Sequence, residues 1–398
     1  MNPNNNSEKK SRFKYPNLIP LWLSVFIDIL GFSILFTILP KFILTVSGNE
    51  FIIGFILSIN AIFTLFFAPV LGKLSDKYGR IPLLLISQIG TAIGFLLMGL
   101  ATSLELLIIS RIIDGVFGGN FPIAKAIISD IVPPEDRAVQ MTNVGVCHVL
   151  ASLIGPGLGG ILYNMGGLKM FAPGMISMGL SIITIIITLI LLKETWPKEK
   201  RNQRGKEKIK IKLRQNKTAL HLLTQFGFHT VSFMIYITTI AGFAYIVLEL
   251  TPVEVGILLT ISGLFRAIIR FTIFEPILKK LGEHKTLTLG LGSFVVVFIL
   301  VGFVQNLIQF AVLLILVSFA ASCTRGILIS KITKSVTPIE QGIINGYSTA
   351  LDSFAQIIGP LIGFAILGAF ESYWLGIIMG MLALAAFFMV FKKLELRK

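Results

Sequence analysis

Long apolar runs follow one another along the chain with only brief polar or glycine- and proline-bearing interruptions between them. Each is about 20 residues or longer, the length that carries a helix across a bilayer. Twelve such segments are expected, over approximately 18–40, 51–72, 81–100, 104–129, 139–163, 171–192, 219–249, 254–279, 285–303, 307–330, 339–367 and 371–391. Backbone polar groups in lipid must be satisfied inside the segment that carries them, which makes these segments helices. Their lengths exclude a barrel of roughly 10-residue strands. The pattern therefore predicts an all-α integral membrane protein with twelve transmembrane helices.

The longest polar interruption, 193–217, holds 11 basic and 3 acidic residues and divides the segments six and six. The expected organisation is a disordered cytoplasmic tail over 1–17, a six-helix bundle over 18–192, a basic linker over 193–217, and a second six-helix bundle with a short tail over 218–398. The halves are related in sequence. An offset of 204 carries Pro134 onto Pro338, Ala151 onto Ala355, Gly155 onto Gly359, Pro156 onto Pro360 and Gly159 onto Gly363. Parallel repeats of this kind predict two pseudo-symmetric bundles of the transporter type, with substrate bound near mid-membrane.

Composition sharpens this picture without changing it. Hydrophobic residues make up 54% of the chain and charged residues 14%, against about 25% charge in soluble domains. The mean hydropathy is +0.85. A net charge of +15 would suit nucleic acid, but its distribution removes that reading. Of the 35 Lys and Arg, 28 fall on one side of the predicted topology and only Lys41 and Lys169 on the other. The positive-inside rule then places both termini and the 193–217 linker in the cytoplasm of a multi-pass cell-membrane protein, with membrane lipid as a partner of the basic side. The first apolar run is too long for a signal-peptide core and lacks a small-residue cleavage pattern. Cys147 and Cys323 are expected to be packing residues. No metal-site spacing and no phosphate-cradling glycine loop appears, so neither a cofactor, a metal nor ATP coupling is expected, and the chain does not read as an enzyme.

A charge inside the membrane costs roughly 2.5 kcal/mol or more, so each is a candidate functional group. Asp28 interrupts Phe26-Ile27-Asp28-Ile29-Leu30-Gly31 in the first segment. A carboxylate there can load and release a proton, unless a fixed arginine pairs with it. In the fourth segment Arg111, Asp114, Gly115, Gly118, Pro122, Lys125 and Ser129 recur at steps of three or four, which predicts one shared face lining a cavity. Mutual neutralisation of Arg111 and Asp114 is the alternative. The second half adds Arg266 and Arg270 at a step of four, Arg325, and Asp352, which the repeat aligns with His148. Asp28, Arg111, Asp114, Asp352 and His148 are therefore proton-coupling candidates. Lys125, Arg325, Arg266, Arg270, His229 and Gln225 are substrate-cavity candidates, with a packing role the alternative for His229. The excess of bases over acids favours an anionic or zwitterionic substrate.

The shortest connection carries the most specific signal. Residues 72–80 read Gly-Lys-Leu-Ser-Asp-Lys-Tyr-Gly-Arg, and glycines at both ends of so short a link predict a sharp reversal. Gly72-x-Leu74-x-Asp76-x-x-Gly79-Arg80 resembles the loop after the second helix of the major facilitator superfamily, although the usual basic residue after Arg80 is Ile81. The resemblance implies that Gly72, Asp76, Gly79 and Arg80 form a gating loop. Arg80 would pair with Asp130 at the end of the fourth segment, and Asp76 would meet the start of the eleventh, Thr337-Pro338-Ile339-Glu340. Gly155-Pro156-Gly157-Leu158-Gly159-Gly160 resembles the family's antiporter motif, with Ala151 where an earlier glycine is usual. Its bland reading is a bend and a tightly packed helix built on Gly155, Pro156, Gly159 and Gly160. Asp28 with Gly31 and Pro40, and Arg111 with Gly115, are similar to elements of the drug:proton antiporter branch that includes tetracycline-efflux-like proteins.

The resemblance implies a monomeric secondary transporter that moves a small organic molecule by alternating access, as proton-coupled efflux. The alternatives are a uniporter or exchanger of an anionic metabolite, and a non-transporting receptor or scaffold of the same fold. Tetracycline itself fits poorly, because the third segment offers Gln88 and Thr91 where its exporters carry an acid.

Overall fold

The computed structural model describes residues 15–163, 165, 169–197, 216–337 and 340–392. The N-terminal tail up to residue 14, linker residues 198–215, Pro338, Ile339 and residues 393–398 lie outside the described residues, together with the readings made for them.

The described chain is helical throughout. A 3-10 turn, Pro16–Leu18, leads into α1 (Ile19–Ser47), followed by α2 (Glu50–Tyr78), α3 (Arg80–Gly99), α4 (Leu104–Val116), α5 (Asn120–Ile131), α6 (Pro134–Leu162) and α7 (Phe171–Leu191). After the linker come α8 (Lys217–Ile246), α9 (Pro252–Ile268), a π-helical turn (Ile269–Ile273), α10 (Phe274–Val301), α11 (Leu307–Lys334), α12 (Gln341–Ala369) and α13 (Tyr373–Phe388).

Eleven helical stretches are long and apolar enough to cross a membrane, yet one of them, Pro252–Val301, has 50 residues. A straight helix of that length would reach about 75 Å, against a hydrocarbon core of about 30 Å. It is broken inside α10 at Gly282, whose φ of 75° and ψ of 168° leave the helical region. That conformation suits glycine because it has no Cβ. The stretch is thus two crossings, and the chain has the twelve that its hydropathy predicts.

Two expectations are corrected. The fourth segment is not one helix: it is interrupted at Phe117–Gly119, so α4 and α5 do not present one continuous face from Arg111 to Ser129. Glycines pack closely against α2 at this place. A Cβ at Gly115 would stand 2.7 Å from Phe63 Cβ, and one at Gly118 would stand 2.7 Å from the Thr64 hydroxyl. Nor does the chain reverse at both ends of 72–80. Gly72 lies inside α2, which runs on to Tyr78, and Gly79 alone makes the turn, with φ of 112°.

Contacts divide the chain into two units, Met1–Phe42 with Ile59–Gly205 and Ile43–Ser58 with Lys206–Lys398. In the first, α3 packs along α7 and α4; in the second, α8 packs on α12 and α13 while α10 packs on α11 and α13. The same close approach recurs in both. In the first unit, Gly155 and Gly159 of α6 meet Ser33 and Ile34 of α1. In the second, Gly359 and Gly363 of α12 meet Met234 and Thr239 of α8. The glycine pairs are those related by the 204-residue offset, so the repeat written in the sequence is a repeated helix contact. Large apolar side chains such as Phe66, Leu189 and Ile190 are exposed, whereas Arg111, Asp114, Gln225 and His229 are buried, the inversion that lipid as solvent imposes.

Candidate functional site

In the first unit, a chain of polar side chains crosses the bundle from α1 to α4. Asp28 lies in the first half of α1, and its Oδ2 accepts a hydrogen bond from Asn120 Nδ2 at 2.8 Å. Asn120 is the first residue of α5, directly after the interruption at Phe117–Gly119. The same amide nitrogen is 3.4 Å from Thr91 Oγ1 on α3. Thr91 in turn lies close enough to Asp114 on α4 to act on its carboxylate. Asn60 Nδ2 of α2 donates to Asp114 Oδ2 at 2.8 Å, and Arg111 Nη1 lies 3.5 Å from that oxygen.

Several polar atoms of this chain are left over. Asp28 Oδ1, Asn120 Oδ1, and Arg111 Nε and Nη2 are buried without a hydrogen-bond partner. A buried polar atom without a partner costs about 1–3 kcal/mol, and such atoms collect at sites that bind or exchange something. Asp28 forms no ion pair with any Lys or Arg among the described residues. The carboxyl of Asp114 acts on it electrostatically. Arg111 and Asp114 do pair at a spacing of three, and at 3.5 Å the pair leaves most of the guanidinium unused.

The Arg80 cluster is a second centre. Arg80 is buried and ion-paired to Asp76 at 2.7 Å and to Asp130 at 2.9 Å, and it donates to Ser75 Oγ at 2.7 Å. Glu194, just after α7, accepts from the backbone N–H groups of Arg80 (2.9 Å) and Ile81 (3.2 Å), so a carboxylate closes the positive end of α3. Trp196 stacks over the guanidinium at 5.6 Å and Thr195 donates to Asp130 at 3.3 Å. Beside this cluster Lys73, Asp76, Ser129 and Asp130 line a cavity of about 400 Å³. At the start of α12, Glu340 accepts from the Thr337 backbone N–H and hydroxyl, at 3.0 and 2.7 Å.

In the second unit, Arg325 and Asp352 form a bidentate pair at 3.0 and 2.6 Å. Arg325 is therefore already neutralised. Arg270, in the π-helical turn, donates to the Ser322 carbonyl and stacks on Phe274 at 4.1 Å. Arg266 lies within electrostatic reach of Tyr236 and Arg325. Gln225 and His229 face packing: Gln225 Nε2 donates to the Ala386 carbonyl of α13, and the His229 ring stacks among Phe233 and Phe294. Lys125 is exposed over the Phe121 ring, and His148 Nδ1 bonds Ser152 at 3.3 Å.

Sequence reasoning missed Asn60, Asn120, Glu194 and Trp196. An asparagine in an apolar segment was the available signal for the first two. Nothing local marks the others, whose partners lie more than 100 residues away.

Twelve membrane crossings in two six-helix halves, with intramembrane acids on a polar chain, define a secondary transporter. The family model of the Major Facilitator Superfamily matches residues 21–248 and 222–398, and the chain belongs to that family. It is 30% identical over 368 residues, 89% of this chain and 91% of the other, to the class G tetracycline resistance protein of Vibrio anguillarum. It is 28% identical over 376 residues, 91% of this chain and 90% of the other, to the multidrug resistance protein MdtG of Proteus mirabilis. Among solved structures it is similar to the human organic anion transporter MFSD10, with a TM-score of 0.70, 21% identity and coverage of 93% of this chain and 98% of that one. The nucleoside transporter NupG gives a TM-score of 0.73 at 16% identity, covering 95% and 100%. The protein is a membrane-embedded transporter of that family, not an enzyme.

Proposed function

We propose that the protein exports a small organic molecule across the cell membrane in exchange for protons, and that Asp28 is the group that carries the proton. The observation that supports this most directly is Asp28 itself: an intramembrane carboxylate held by the neutral Asn120 amide, with one oxygen buried and unpartnered. A carboxylate locked to an arginine would hold its charge, whereas one held by an amide can accept a proton without leaving a buried cation behind.

Asn120 is suited to both protonation states. With Asp28 ionised, the amide nitrogen donates to Oδ2. With Asp28 protonated, the carboxyl O–H needs an acceptor, and the unpartnered Asn120 Oδ1 becomes one when the amide turns over. Because Asn120 starts α5 at the interruption of the fourth segment, loading Asp28 changes a bond at a place where the helix is already divided. Arg111 and Asp114 act with Asp28 through Asn120 and Thr91. The Arg80–Asp76–Asp130 cluster serves as the gate, with both termini in the cytoplasm.

Relatives named for tetracycline and multidrug resistance support efflux of an organic compound. Gln88 donates to Ser24 and Thr91 accepts from Asn120, and the third segment offers no acid of the kind expected for tetracycline. The test uses everted membrane vesicles carrying a proton gradient, reported by a pH-sensitive dye. Addition of an exported compound should dissipate the gradient in vesicles with the protein and leave it intact in vesicles without it. Transport that leaves the gradient untouched across a broad compound panel would refute proton exchange.

A further inference from the structure

A groove of about 780 Å³ runs along the outer face of the second unit, between the latter part of α10 and α11, with Phe391 at its side. Its volume lies within the range of ligand pockets. One end carries His284 and Lys285, just after the turn at Gly282; the rest is lined by apolar residues that include Leu289, Val296, Leu316 and Phe319. From Lys285 to Val296 the helix rises about 16 Å.

Two observations define what fits. Thr288 and Ser293 also line the groove, but each hydroxyl donates to a carbonyl of its own helix, at 2.9 Å to His284 and 2.8 Å to Leu289. The length of the groove is therefore suited to hydrocarbon. In the chain beside the end that carries His284 and Lys285, Lys279 is paired with Glu275 and Lys334 with Glu283, at 2.9 and 2.7 Å. Lys280, His284 and Lys285 are exposed and have no carboxylate within 4.0 Å among the described residues. That end is thus basic, and no carboxylate among the described residues answers its charge.

We propose that this groove is a binding site for an anionic phospholipid of the surrounding bilayer. Lys285 and His284, with Lys280 nearby in the chain, take the headgroup phosphate, and one acyl chain lies along the apolar lining. Leu289, Val296, Leu316 and Phe391 are all exposed, so the groove opens toward the bilayer that supplies the ligand. Basic pockets between membrane helices recognise lipid headgroups by the same electrostatics.

The test is native mass spectrometry of the full-length purified protein, delipidated and then offered phosphatidylglycerol or phosphatidylcholine at equal concentration. Wild type should retain phosphatidylglycerol in preference to phosphatidylcholine. Lys280→Gln with Lys285→Gln should weaken that retention roughly fivefold per lysine, the equivalent of about 1 kcal/mol each near a membrane surface. Ser293→Phe, which fills the groove and leaves the lysines in place, should lower retention of both lipids. Equal retention of the two lipids by wild type would overturn the proposal, as would an unchanged profile in the double lysine variant. Loss in the lysine variant with none in Ser293→Phe would overturn it too, since that result means surface attraction without a groove.

Discussion

The proposed coupling turns on one contact, the 2.8 Å hydrogen bond from the Asn120 amide to Asp28. Replacing Asn120 by leucine removes both the donor that the ionised acid uses and the acceptor that the protonated acid needs. Asn120→Leu should therefore blunt the pH dependence of transport and slow gradient-driven efflux at least tenfold, about 1.4 kcal/mol in the coupled step. Ligand-induced thermal stabilisation should persist, because a ligand that prefers the folded state still raises apparent stability. An unaltered pH profile in a folded Asn120→Leu protein would remove the residue from the coupling role. Asp28 was legible in the sequence because a charge within an apolar run has no structural excuse. Asn120 was not, since a neutral amide gives no comparable signal and its partner is 92 residues away. The same limit applies to Arg325. Its charge was visible as a positive excess, but the bidentate bond to Asp352 that cancels it depends on how α11 and α12 pack.

Helices were legible wherever lipid forces the backbone to satisfy itself, and breaks were legible only where a residue announces them. Gly282 lies between two runs of spanning length. The interruption at Phe117–Gly119 was hidden because the three-four pattern of Arg111 to Ser129 continues across it. Small residues at helix contacts carry a testable load. A Cβ at Gly155 would come within 2.5 Å of Ser33 Cβ, whereas one at Gly145 in the same helix meets nothing within 4 Å. Gly155→Val should lower the thermal midpoint in detergent, by the equivalent of about 1–3 kcal/mol of overpacking. Gly145→Ala should leave it unchanged. Similar midpoints for the two would show that α6 does not pack on α1 as closely as described. At the α2–α3 joint, Arg80→Ala would leave Asp130 and Asp76 without their buried partner, a loss of about 3–5 kcal/mol if the pair behaves as buried ion pairs do. Chemical denaturation of wild type and variant in the same detergent measures it. A loss below about 1 kcal/mol would mean the cluster is a solvated surface arrangement.

At the scale of the whole molecule, the distribution of Lys and Arg and the chemistry of Asp28 make separate demands. The 28-to-2 division of basic residues predicts that single cysteines placed at either terminus, in a background lacking Cys147 and Cys323, stay unlabelled by an impermeant reagent in intact cells and react after permeabilisation. Labelling of one terminus from outside would reverse the topology. The central claim is that a proton on Asp28 drives export. Its most direct measurement is transport of one exported compound by purified protein in liposomes, wild type against Asp28→Asn, with and without a pH gradient. The wild type should accumulate the compound against its concentration when the gradient is applied. Asp28→Asn, which keeps the shape and cannot exchange a proton, should lose that accumulation and still exchange labelled for unlabelled compound at equilibrium. Gradient-driven accumulation by Asp28→Asn at the wild-type rate would contradict the claim outright.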